Sequence, residues 1–257
     1  MNKIKVMTIF GTRPEAIKMA PLVKELEKRE EIESIVCVTA QHRQMLDQVL
    51  DTFNITPDYD LNIMKQGQTL VDITTRALQS LSEVISKVKP NIVLVHGDTT
   101  TTLSGSLAAF YNQVSVGHVE AGLRTYDKYS PFPEEVNRQV TGVIADMHFA
   151  PTQVSKNNLL KEGKKEETIY VTGNTAIDAL KTTVKDEYYH PIFDKIGNDK
   201  MILLTAHRRE NLGEPMKNMF RAIKRIVEEF DDIQVVYPVH LNPLVRQAAD
   251  EVLGDNS

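Results

Sequence analysis

Cysteine is almost absent. Cys37 is the one thiol in 257 residues, so no disulfide framework is available to staple a small secreted scaffold. It lies in the apolar run Ile35 to Val38 and is expected to be a buried strand residue. Positive charge has no surplus either: 30 Lys and Arg against 35 Asp and Glu leave a net charge of -5. That balance speaks against a general nucleic-acid surface and against an anionic membrane partner. Long hydrophobic runs are also missing. The stretch Met1 to Phe10 is cut short by Gly11-Thr12-Arg13-Pro14-Glu15, too early for a signal sequence, and nothing approaches a membrane span. The expected compartment is the reducing cytoplasm. A content of 41% hydrophobic and 25% charged residues is that of a soluble globular enzyme.

Several catalytic signatures are missing as well. G-x-G-x-x-G does not occur, and the second apolar run ends in Thr39-Ala40-Gln41 with no acid for a ribose, which counts against a nicotinamide cofactor. No Lys follows a glycine at P-loop spacing, and G-x-S-x-G, H-E-x-x-H and C-x-x-C are absent. Neither a cofactor nor a metal is expected.

What is present is a rhythm. Short β-branched runs at Ile4–Phe10, Ile35–Thr39, Ile92–His96, Val114–Val119, Met147–Ala150, Ile169–Thr172, Met201–Thr205 and Val235–Val239 alternate with segments of helical periodicity. One helical stripe carries Met45, Leu46, Val49, Leu50 and Phe53; another carries Leu78, Leu81, Ile85 and Val88. Repeated βαβ units imply an α/β fold with parallel sheets covered on both faces. The charged stretch Val184–Asp199, with Pro191 and Gly197, breaks the rhythm and marks a linker or domain entry. Only two strands follow it, a poor independent domain, so a C-terminal truncation is expected.

In open α/β sheets ligands bind beyond the carboxyl ends of the strands. Residues entering the strands are solvating charges and turn formers, such as Lys87-Val88-Lys89-Pro90. Residues leaving them carry chemistry: Arg13, Gln41-His42, His96-Gly97-Asp98, His118, Glu120, Asn174, His207-Arg208-Arg209-Glu210 and His240. The turn before Arg13 and Lys18 suits a phosphate or is simply a tight turn. Asp98 or Thr99 suits a helix N-cap. Pro133 suits a helix start, which puts Glu134 and Glu135 in a first turn as partners of the helix dipole. Glu120 ends an apolar strand, where burial is expected to raise its pKa and fit it for proton transfer.

The ordered set Phe10-Gly11-Thr12-Arg13-Pro14-Glu15-Ala16, His96-Gly97-Asp98-Thr99, His118-Val119-Glu120-Ala121-Gly122-Leu123-Arg124, Pro133-Glu134-Glu135-x-Asn137-Arg138, Thr172-Gly173-Asn174-Thr175 and His207-Arg208-Arg209-Glu210-Asn211 resembles the non-hydrolysing UDP-N-acetylglucosamine 2-epimerases. The resemblance implies a glycosyltransferase-B-like fold of two Rossmann-like domains, residues 1–172 catalytic and 173–257 nucleotide-binding, the second incomplete. It implies a homodimer that interconverts UDP-GlcNAc and UDP-ManNAc by eliminating and re-adding UDP, for cell-envelope polysaccharides. By the same resemblance Asp98, Glu120 and Glu134 are the catalytic acids, while Arg13, Lys18 and His207 line the diphosphate site. Gln41, Gln44, Arg208 and His240 match a second, activating UDP-GlcNAc site. A hydrolysing epimerase, a glycosyltransferase of the same fold and a non-catalytic nucleotide-sugar binder are the alternatives.

Overall fold

A computed structural model describes residues 3–40, 43–65, 67–208, 211–240 and 242–254, with Arg43 and Gln44 described in their backbone only. The chain divides into two compact units, Met1–Lys185 and Asp186–Ser257. The break comes later than Thr172 because the helix Thr175–Thr183 packs on the first helix of the chain and so belongs with the first unit.

The first unit is a parallel sheet of seven described strands: β1 (Ile4–Phe10), β2 (Ile32–Val38), β3 (Tyr59–Asp60), β4 (Ile92–His96), β5 (Ser115–Val119), β6 (Met147–Ala150) and β7 (Ile169–Val171). Their spatial order is β3-β2-β1-β4-β5-β6-β7. The intervening helices are α1 (Arg13–Glu27), α2 (Arg43–Thr52), α3 (Leu70–Val88), α4 (Thr100–Tyr111), α5 (Glu134–Ile144), α6 (Gln153–Lys161) and α7 (Thr175–Thr183). One apolar layer joins β1 and β2 to α1, α2 and Ala179 of α7, through residues such as Phe10, Met19, Val23, Leu46 and Phe53. Another joins the opposite face to α3 and α4, through Met7, Ile9, Ala77, Leu81, Ile85 and Ala108. Covering on both faces explains why the strands read as nearly unbroken apolar runs.

Local chemistry sets the helix limits. Thr69 and Asp72 form a capping box at the start of α3, after which Ile73, Ala77, Leu81 and Ile85 recur every fourth residue and are buried. The helix closes on Lys89 in the left-handed conformation, φ 52°. The strand order reverses between β1 and β4, so the loops Gly11-Thr12 and Gly97-Asp98-Thr99 part to opposite faces and leave a crevice at the carboxyl edge.

The second unit holds α8 (Ile192–Ile196), β8 (Lys200–Leu203), α9 (Glu214–Glu229), β9 (Ile233–Val236) and α10 (Pro243–Leu253). Its two described strands pair in parallel, and Met216, Phe220, Val245, Ala248 and Ala249 form its core. No helix among the described residues is long and apolar enough to cross a membrane.

Candidate active site

The crevice between β1 and β4 is held by a buried carboxylate. Glu15 sits in the first turn of α1 and is 2% exposed. Its Oε2 accepts hydrogen bonds from the Gly11 and Thr12 amides at 3.1 and 2.8 Å and from the Thr12 hydroxyl at 2.8 Å. Its Oε1 accepts from Thr99 Oγ1 at 2.7 Å and Thr102 Oγ1 at 3.3 Å. One side chain thus ties the loop after β1 to the start of α4. The spacing Thr12-x-x-Glu15 was the signal for it, since a threonine followed three residues later by a glutamate is a capping box. Gly11 permits the close approach: a Cβ there would lie 1.9 Å from Thr39 Oγ1.

Thr99 is the N-cap of α4, accepting from the Thr102 amide at 3.1 Å. Asp98 is therefore released from capping and turns its carboxylate to Arg138 of α5, whose Nη1 is 3.1 Å from Oδ2. Burial raises the Asp98 pKa; Arg138 opposes this, and the negative charges of Glu134 and Glu120 add to it. The net direction is upward. Asn137 Nδ2 donates to the Asp98 carbonyl at 2.9 Å, so α5 grips this loop through two consecutive residues. His118 holds the turn from β5, its fully buried Nε2–H donating to the Gly97 carbonyl at 2.7 Å. Desolvation drives the His118 pKa down to about 3, so the ring is neutral.

Glu120 follows β5 with φ 62°, in the left-handed region. Lys18 of α1 meets both its oxygens, at 2.8 and 2.6 Å, and His96 Nε2 stands 3.7 Å away. Burial does push this carboxyl upward, as expected for the end of an apolar strand. His96 and Lys18 together outweigh that effect and bring it down to about 2, which corrects the expected rise. Lys18, expected at the diphosphate site, is placed here against Glu120.

Glu134 opens α5 after Pro133, half-buried, and its charge is felt at Asp98. Its neighbour Glu135 is no mere dipole partner: it is fully buried and accepts from the Thr125 and Tyr126 amides at 3.0 Å each, from Gln139 and from Arg138. Burial raises its pKa, and these donors together override that and hold it at about 2. Glu135 thereby anchors both the loop before α5 and the arginine that faces Asp98.

The other expected site residues are described each within its own unit. Arg13 is exposed at the start of α1 and lines a cavity of about 370 Å³ with Ile17, Gln48, Val49 and Leu180, apart from the acids. Gln41 lies outside the described residues, as does the side chain of Gln44. In the second unit, His207 follows β8 and His240 follows β9, with ring centroids 5.1 Å apart and stacked; Arg208 is exposed beside them. The Asn242 amide donates to His240 Nδ1 at 3.1 Å, which fixes that ring's tautomer.

A doubly wound parallel sheet with polar and acidic side chains gathered at its switch-point edge is the arrangement of an α/β enzyme. The profile of the UDP-N-acetylglucosamine 2-epimerases matches residues 24–256, and the chain belongs to that family. The UDP-N-acetylglucosamine 2-epimerase of Bacillus subtilis is 72% identical over 256 residues, covering 100% of this chain and 67% of that protein. Among solved structures, the S. aureus MnaA complex with UDP superposes with a TM-score of 0.88 at 62% identity, over 99% of this chain and 67% of the other. The Neisseria meningitidis UDP-GlcNAc 2-epimerase bound to UDP-GlcNAc gives 0.85 at 52% identity, over 98% and 70%. The chain spans about two thirds of the length of these relatives, and their glycosyltransferase-B-like α/β class is the one expected from its sequence.

Proposed function

We propose that this chain carries the proton-transfer half of a UDP-GlcNAc 2-epimerase. The observation that carries the reading is the placement of three acids on one edge of the sheet, Asp98 after β4, Glu120 after β5 and Glu134 at the start of α5, whose Arg138 reaches Asp98. Epimerisation at C2 needs a base to take the C2 proton and an acid to return one to the opposite face. As the proton leaves, the C2–H electrons form a C1–C2 double bond and the C1–oxygen bond breaks, releasing UDP with its electron pair. Re-addition of UDP at C1 and protonation at C2 give UDP-ManNAc. Glu120 fits the base, and Asp98, shifted upward chiefly by burial, fits the proton carrier. The first unit, which holds all three acids, is the catalytic half; the product would feed envelope polysaccharide synthesis in the cytoplasm.

Turnover of UDP-GlcNAc in deuterated water tests this. UDP-ManNAc with deuterium at C2 is the expected product, and Asp98→Asn, Glu120→Gln and Glu134→Gln each lower kcat by about 100-fold or more. Accumulation of free UDP and ManNAc would make the protein a hydrolysing epimerase, and transfer to an acceptor with the C2 proton retained would make it a glycosyltransferase. UDP binding without turnover would leave a nucleotide-sugar binder.

The same reading includes a homodimer. On α5, Val136, Val140 and Val143 are 40%, 36% and 75% exposed, at the spacing of one helix face, and α4, beside it, exposes Phe110 and Tyr111. An exposed apolar face of this kind suits a two-fold contact between copies.

A further inference from the structure

Glu120 is the most constrained carboxylate of the site. Lys18 Nζ straddles its two oxygens at 2.8 and 2.6 Å. The pair is largely withdrawn from water, with side-chain exposures of 25% for Lys18 and 13% for Glu120. The backbone of Glu120 is held at φ 62°, a conformation disfavoured for any residue with a Cβ, so the surrounding fold imposes this placement. The other charged groups around it come from two further elements. His96 of β4 lies 3.7 Å from Oε2 and has no hydrogen-bond partner for Nε2. Asp98, after β4, is paired with Arg138 of α5, and Glu134 opens that helix. Among the described residues Lys18 is therefore the cation in hydrogen-bond contact with Glu120.

A base whose two oxygens both accept from an ammonium is poorly placed to approach a C–H bond. Lys18 stands in the second turn of α1, the helix that opens the switch-point crevice where a diphosphate would enter. A diphosphate offers that ammonium more negative charge and more acceptor oxygens than one carboxylate does. We propose that Lys18 is a removable counter-ion, a positioning residue that clamps Glu120 and is drawn off by an arriving diphosphate, so that the base is freed only when substrate is bound. The idea rests on the nucleotide-sugar reading above. Its chemical consequence is a change in basicity. With His96 and Lys18 both in place burial is outweighed and the carboxyl is held at about 2, a weak base; with Lys18 drawn off, one of those two opposing influences is gone and the carboxyl moves upward.

The test follows the Glu120 carboxyl by carbon NMR in protein labelled at glutamate Cδ, with the signal identified by its loss in Glu120→Gln. In the free protein the signal stays that of a carboxylate from pH 7 down to 4. With saturating UDP it titrates inside that window, at least a hundredfold change in acidity. Lys18→Met makes the free protein behave as the UDP complex does, and Lys18→Arg restores the flat profile. A Glu120 signal that UDP leaves unchanged, in protein shown by calorimetry to bind UDP, overturns the clamp alone. No UDP binding overturns both the clamp and the nucleotide-sugar reading. If Lys18→Met does not fold, the comparison of the unsubstituted protein with and without UDP still decides.

Discussion

Glu15 shows how one side chain can organise a site without touching a reactant. Its two oxygens take up donors from both sides of the crevice, and the two amides require an acceptor on theirs. In Glu15→Gln the amide oxygen can keep the Gly11 and Thr12 amides, but Nε2 must then face the threonine hydroxyls, so the Thr99 hydroxyl loses its acceptor and every remaining bond loses its charge assistance. The expected loss is about 1–3 kcal/mol of stability, measured by urea denaturation. Acid should act on other residues. Buried His118 and His148 titrate in the folded protein at about 3 and about 4, desolvation being the chief cause in each, against 6.5 when exposed on unfolding. Below 6.5 the unfolded chain binds protons that the folded chain refuses, so stability falls as pH drops through that value. Glu120 and Glu135, held at about 2, add to the loss in the same direction below 4.5. Denaturation midpoints should decline from pH 7 to 4, with the decline beginning near 6.5, and His118→Gln should soften its upper part.

At the scale of elements, α5 has two occupations. Its inner face grips the Asp98 loop through Asn137 and Arg138, while its outer valines face solvent. Val143→Asp should therefore convert a dimer to monomers in light scattering while leaving the α/β circular dichroism intact. Much of this layer was legible in the sequence. The runs Ile4–Phe10, Ile92–His96 and Met147–Ala150 are strands over those same limits, because each is mostly apolar and is followed by a break in the apolar pattern. β3 was not, since a two-residue bridge of Tyr59 and Asp60 has no apolar run to announce it. The residues of the site were legible as types and as an edge, but their partners were not. Lys18 and Glu120 are 102 positions apart, and only the fold decides that a lysine meant for an anion meets a carboxylate. The same holds for Asp98, freed from capping because Thr99 takes that place.

At the scale of the molecule, the two units differ in what holds them. The first has apolar layers on both faces of a broad sheet; among its described residues the second has one small cluster and a pair of strands. Two-stranded sheets are marginal, so hydrogen exchange should find the second unit opening more readily. Cys37 gives an independent view of the first. The thiol is fully buried in β2, and burial, reinforced by the charges of Asp60 and Asp58, pushes its pKa to about 12, so in the folded state it is both shielded and unionised. Because the chain has no other cysteine, attack by a disulfide reagent can report only the opening of the first unit. The protein thus carries its own single-site clock: the labelling rate reads the lifetime of the sheet that bears the acids, whatever the second unit is doing.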